Sequence, residues 1–125
     1  MKDLRKFYVD GEWVDPICAS DLAVENPATE ELVATISLGA MADVNRAVEA
    51  AKHAFPSYSQ TSVDERIALL ENLLTIYSDR YDEMAVAISI EMGAPISFST
   101  TAQADCGRGH INAALEALKT FEFER

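Results

Sequence analysis

A chain of 125 residues makes one domain or part of one, and can bury about two-thirds of its unfolded surface. Ten basic residues against 21 acidic ones give a formal charge of -11, so neither nucleic acid nor an anionic membrane surface is expected as a partner. Hydrophobic residues make up 49% of the chain, which argues against disorder.

The chain opens with MKDLRKFYVDG, which has no apolar signal core, and no apolar run approaches the ~20 residues of a membrane span. Phe7-Tyr8-Val9 and Glu12-Trp13-Val14 flank Asp10-Gly11, a strong hairpin signal. A two-residue turn there sets Tyr8 opposite Trp13 as a cross-strand aromatic pair, and Pro16 ends the second strand. A second unit pairs Leu22–Glu25 with Leu32–Ile36 across a turn that opens on Asn26-Pro27, where proline pushes the preceding residue out of the helical region. Residues 1–38 thus form a β-hairpin region, and Gly39 separates it from a helical region over 41–121. The first helix is expected from Met41 to Phe55 behind a poor N-cap, Ala40. Its buried stripe is read as Val44, Ala47, Val48, Ala51 and Phe55, with Pro56 ending it.

The stretch Ser62–Pro95 carries the strongest helical pattern. Ser62 and Glu65 make a capping box, and Val63, Ile67, Leu70, Leu74, Tyr77 and Tyr81 fall on one face. A further run from about Arg80 places Met84, Ala85, Ile88 and Met92 together. It ends at Gly93, suited to a left-handed cap, with Pro95 beyond. Val86, Ala87 and Ile90 lie off that face, so this helix expects cover on more than one side. A polar stretch, Ser97 to Gln103, leads into a last helix from about Asp105 with a stripe of Ile111, Ala114, Leu115, Leu118 and Phe121. The final five residues alternate like a strand that has just begun, as at a cut; a frayed helix end with two aromatic contacts fits equally. The fold class is α+β, mostly helical with N-terminal hairpins.

Few side chains carry chemistry. Cys18 and Cys106 lack partner spacing, which fits a reduced cytoplasmic setting best, with a single disulfide between them as the alternative. Cys106 and His110 share a helix face at a spacing used in metal sites, but two ligands are too few, and the expectation is a half-buried thiol. Gly107-Arg108-Gly109 lacks the preceding strand of a phosphate loop and reads as small residues where another backbone approaches. His53 suits a helix C-terminus, and the pairs Asp64/Glu65 and Asp82/Glu83 suit first turns.

The order FYVDGEWV, ENPATEELVATISLG, DVNRAVEAAKHAF, ERIALLENLLTIYSDRYDEMAVAISIEMGAP resembles the N-terminal part of an aldehyde dehydrogenase. The resemblance covers essentially all of residues 1–125. It is carried by Asn26-Pro27-Ala28-Thr29, Asp43 with Arg46-Ala47-Val48, Arg66, and Glu91-x-Gly93-x-Pro95. Glu30 stands where the family often has glycine, and Ala94 where it often has lysine. The resemblance implies an incomplete piece of an α/β Rossmann-like cofactor-binding domain. The intact protein would oxidise an aldehyde to a carboxylic acid through a cysteine thiohemiacetal, with NAD or NADP taking the hydride and a glutamate as base.

In family members the oxyanion asparagine, the cofactor lysine, the dinucleotide-binding glycines, the base and the nucleophile all lie beyond the part that this chain matches. Neither cysteine here matches the nucleophile context, so no catalytic or cofactor-binding residue is carried over. The resemblance does suggest a monovalent-cation site in which Val24 and Glu25 offer backbone carbonyls and Glu91 a carboxylate. Glu91 as a solvated residue at a helix end is the competing reading. The implied partners are the remainder of the dehydrogenase chain and, in intact form, further copies in a homo-oligomer. Alone, the chain is expected to bind no cofactor, to act as a non-catalytic scaffold, and to self-associate through apolar surface. Two other readings are a self-contained helical protein-interaction module and one chain of a split dehydrogenase.

Overall fold

The computed structural model describes residues 2–123, which divide between Gln60 and Thr61 into two compact units. The first unit holds five strands and a helix: β1 (Lys2–Leu4), β2 (Phe7–Val9), β3 (Glu12–Val14), β4 (Asp21–Glu25), β5 (Leu32–Ser37) and α1 (Met41–Tyr58). The strands β2 and β3 form a hairpin with Tyr8 opposite Trp13, their rings 5.3 Å apart. Asp10 and Gly11 both take positive φ, 55° and 81°, as a two-residue turn that matches strand twist requires. Strand β4 pairs antiparallel with β5, with an irregularity between Val24 and Glu25. The connecting turn is fixed by Asn26. Its side chain accepts from the Ala28 amide at 2.9 Å, and its carbonyl from the Glu30 amide at 2.8 Å.

Strand β1 has no counterpart in the sequence reading. It pairs parallel with β5, giving the order β1-β5-β4, and its pattern, Lys-Asp-Leu, is too short and too charged to show as a strand.

Helix α1 departs from expectation at both ends and along its length. Pro56 lies inside it, because so near the C-terminus the missing amide removes only a last-turn bond; the Ser59 amide still donates to the Phe55 carbonyl at 2.8 Å. His53 is therefore more than a turn from the end and outside the dipole position expected of it. The expected stripe of Val44, Ala47, Val48, Ala51 and Phe55 is exposed, and the buried residue of α1 is Asp43.

The second unit is helical: α2 (Val63–Asp79), α3 (Tyr81–Met92), a short α4 (Ile96–Phe98), a π-turn (Ser99–Gln103) and α5 (Ala104–Thr120). The capping box forms as the sequence indicates. The Glu65 amide donates to Ser62 Oγ at 3.2 Å and the Ser62 amide to Glu65 Oε2 at 2.7 Å, which holds the Glu65 carboxyl below its usual range. Ile67, Leu70, Leu74, Tyr77 and Tyr81 are half-buried, the face the periodicity picks out, while Val63 is exposed at its edge. Gly93 caps α3 in the left-handed region at φ 69°, and both acidic pairs sit in first turns. Along α3, Ala85 is buried and Met84, Val86 and Ile90 are exposed.

The polar stretch before the last helix is itself helical. Thr100 and Thr101 hydroxyls donate back to the Ile96 and Ser97 carbonyls at 2.9 and 2.8 Å, so polar side chains here serve the helix rather than interrupt it. On α5, Leu115 is buried, Ile111 and Leu118 are half-buried, and Ala114 and Phe121 are exposed. No strand forms over Phe121–Phe123, whose rings contact each other at 4.9 Å; Glu124 and Arg125 lie outside the described residues.

Candidate functional site

Two polar nodes organise the units. In the first, Ala40 precedes α1 without a side-chain acceptor, and Asp43, three residues on, makes the reciprocal half of a capping box by accepting the Ala40 amide at 3.1 Å. The same carboxylate accepts the Ile17 amide at 2.8 Å and pairs with Arg46 at 3.2 Å, and Arg46 also donates to the Asp15 carbonyl at 3.0 Å. Asp43 is only 5% exposed. The Ile17 amide foremost, then that of Ala40, holds its carboxyl below the usual range against the opposing effect of burial. The node ties the segment after β3 to the start of α1. The sequence signal for it is an acid at the third position behind an incompetent cap, at a place outside the apolar stripe of α1.

Beside this node lies an open groove of about 960 Å³, lined in part by Arg5, Lys6, Trp13, Asp15 and Asp21. Its cations are met by its own acids. Arg5 reaches Asp3 at 2.8 Å and Asp21 at 3.2 Å, and Lys6 lies 3.9 Å from Asp15.

In the second unit, Tyr77 donates to the Ala104 carbonyl at 2.7 Å and Tyr81 to the Thr100 carbonyl, with the two rings 6.3 Å apart and edge to face. Burial pushes the Tyr77 hydroxyl above its usual range, helped by the nearby Tyr81, Asp105 and Cys106. Gly107 makes room for this contact: a β-carbon there would lie 2.6 Å from Tyr77 Cζ. The close approach inferred for Gly107-Arg108-Gly109 is thus a tyrosine ring against Gly107 and not a backbone, and nothing lies within 4 Å of a β-carbon at Gly109.

Cys106 is exposed rather than half-buried, because the face of α5 turned inward carries Ala104, Ile111 and Leu115. Cys18 is exposed as well. Among the described residues, no three His, Cys, Asp or Glu side chains gather as a metal site. Of the cation candidates, Val24 and Glu25 flank the irregularity in β4 of the first unit, and Glu91 is an exposed residue in the last turn of α3 in the second. No helix among the described residues is long and apolar enough to cross a membrane.

Both nodes position backbone; neither pairs a nucleophile with a base. Relatives supply the context that the side chains do not. The family model for the aldehyde dehydrogenase family matches residues 13–125. A 3-succinoylsemialdehyde-pyridine dehydrogenase from a Pseudomonas species is 45% identical over 99% of this chain, which covers 26% of that protein. The crystal structure of an aldehyde dehydrogenase from Bartonella henselae superposes with a TM-score of 0.96 at 46% identity, over 98% of this chain and 26% of its own. A variant of aldehyde dehydrogenase C from Pseudomonas syringae, in complex with NAD+ and octanal, superposes at 0.94 with 41% identity over 97% of this chain and 25% of its own. The chain therefore spans about a quarter of the length of the relatives it matches, and its strands and helices correspond to the N-terminal part of their Rossmann-like NAD-binding region. With its order of elements and its whole described length accounted for in this way, the chain belongs to the aldehyde dehydrogenase family.

Proposed function

We propose that this chain is the N-terminal, incomplete portion of the cofactor-binding domain of an enzyme that oxidises an aldehyde to a carboxylic acid with NAD or NADP, and that its own role is scaffolding. The observation that carries the reading is the superposition at a TM-score of 0.96 over 98% of this chain but only 26% of the Bartonella henselae enzyme. The NAD+ held by the Pseudomonas syringae relative supports the cofactor class. Exposed apolar stripes support incompleteness. Val44, Val48 and Phe55 on α1 lie bare, as do Leu69, Leu73 and Ile76 on α2, apolar faces that the remainder of a dehydrogenase would cover. The intact protein is read as a cytoplasmic homo-oligomer.

The test is a chimera in which residues 1–125 replace the matching segment of the Bartonella henselae enzyme, assayed for NADH and NADPH formation on short, long and aromatic aldehydes. The expected result is turnover by the chimera and none by the isolated chain. A chimera that folds and assembles yet leaves every aldehyde unoxidised overturns the scaffold reading. So does turnover by the isolated chain that is lost in Cys106→Ala.

A further inference from the structure

The π-turn Ser99–Gln103 interrupts what is otherwise continuous helix from Ile96 to Thr120. Such turns are rare, because widening the helix moves amide donors from the i−4 to the i−5 carbonyl and disturbs the regular ladder. The Ala104 amide shows that shift, bonding to the Ser99 carbonyl. An isolated segment of this kind returns readily to α-helical register, so something outside it must hold the wide form.

From the neighbouring helices, we infer that Tyr77 and Tyr81 are a two-point latch that holds this segment in π register and thereby sets the rotation of α5. Tyr77 and Tyr81 stand on either side of the break at Arg80, one near the end of α2 and one opening α3, so the latch joins both helices to the start of α5. Tyr81 donates to the carbonyl of Thr100 inside the π-turn, and Tyr77 to that of Ala104 just after it. The Arg108 guanidinium lies 5.1 Å from the Tyr81 ring centroid and pairs with Asp105, which adds a cation–π contact to the ring. Gly107 leaves the gap into which the Tyr77 ring fits. Within the turn, Ser99 is 0% exposed and its hydroxyl donates to Gln103 Oε1 at 3.0 Å, so the wide form also satisfies its one fully buried side chain.

Tyr77→Phe and Tyr81→Phe remove one oxygen atom each, the double variant both, and all three leave ring packing in place. Hydrogen exchange of the full 125-residue chain, read amide by amide, is the measurement. Hydrogen-bond scalar coupling between the Ser99 carbonyl and the Ala104 amide serves as the register probe. Each single change should speed exchange of amides 99–105 about tenfold, the equivalent of one hydrogen bond, with α2 and residues 1–60 unchanged. The double variant should lose the Ser99–Ala104 coupling. Unchanged exchange in both single variants overturns the latch. So does faster exchange spread evenly over residues 61–123, since the hydroxyls would then serve general stability and not the register.

Discussion

The two units bury different things. Residues 1–60 bury Ala34, Ser37 and Asp43, and the network that joins their separate segments converges on one carboxylate. Residues 61–125 bury Ala85, Ala104, Leu115 and Ser99, and are joined by helix faces that interlock where small residues admit large ones, as Gly107 admits Tyr77. Removing a single charged acceptor therefore threatens the first unit, because desolvated amides cannot find another partner. The second unit is sensitive to volume, because its close fit leaves no slack. Apart from Leu115, small and polar residues take the deepest positions in both units, while large apolar ones such as Phe55, Leu69 and Ile90 remain exposed.

The largest effect is expected at Asp43. Asp43→Ala strands the Ile17 and Ala40 amides and leaves Arg46 without its acid, so protection from hydrogen exchange should vanish over residues 15–18 and the first turn of α1 while α5 is unaffected. The pH dependence has a definite sign. The folded carboxyl titrates below its unfolded value of about 3.9, so its contribution is fully present above roughly pH 4 and is lost as pH falls through the folded value. Asp43→Asn should flatten that acid limb in an exchange-monitored titration. An unchanged acid limb would mean that other carboxylates govern the first unit.

The contrast between the units bears on what could be read from residues alone. The Asp10-Gly11 hairpin, the Ser62 capping box and the Gly93 cap are local rules in which neighbouring residues settle their own geometry, and they appear in the structure as written. Strand β1 was illegible because its partner, β5, lies some thirty residues on and its three residues carry no alternation. The π-turn was illegible because serine and threonine in a row signal a loop unless their hydroxyls bond backward, which depends on the helix already existing. Burial was the weakest inference. Periodicity marked the Val44–Phe55 stripe of α1 as interior, yet what covers a stripe is a tertiary fact, and here it lies bare while Asp43 is inside. Neither polar node is visible as a unit in the sequence, because periodicity places Tyr77 and Tyr81 on an apolar face and leaves Asp43 outside the stripe of α1.

In the second unit the largest single effect should come from volume. Leu115 is 4% exposed, and Leu115→Ala should destabilise by roughly 2–5 kcal/mol, read from denaturant melts of helix content. If the loss stays under about 1 kcal/mol, within the range of a surface change, the packing of α5 is looser than its burial indicates.

Gly107→Ala comes next. Its β-carbon would meet the Tyr77 ring at 2.6 Å, well inside contact distance, at an expected cost of about 1–3 kcal/mol. The sharper reading is a double-mutant cycle. In a Tyr77→Ala background the same substitution should become harmless or mildly stabilising, since alanine is the better helix former once the ring is gone. Additive costs would place the clash elsewhere.

The smallest expected effect runs in the opposite direction and lies in the first unit. Glu30 sits at φ 59° in the turn between β4 and β5, a left-handed conformation that a side chain disfavours by about 1–2 kcal/mol. The turn imposes it. The Asn26 carbonyl takes the Glu30 amide at 2.8 Å, and the Asn26 amide reaches the Glu31 carbonyl at 2.9 Å, so Glu30 cannot rotate without opening both bonds. Glycine adopts this region freely but enlarges the unfolded ensemble, which offsets roughly 0.5–1 kcal/mol of the gain. Glu30→Gly should therefore stabilise by about 0.5–1 kcal/mol net. Two controls separate backbone from charge, since Glu25 and Glu31 stand near in sequence and removing one acid in a chain of net charge -11 relieves repulsion by itself. Glu30→Gln removes the charge and keeps the side chain, and Glu30→Ala removes both charge and length but keeps the β-carbon. If the left-handed backbone is the cause, thermal melts rank glycine above alanine and glutamine, with asparagine between them because its side chain tolerates this region. Equal gains from glycine and glutamine would assign the whole effect to charge and none to the turn.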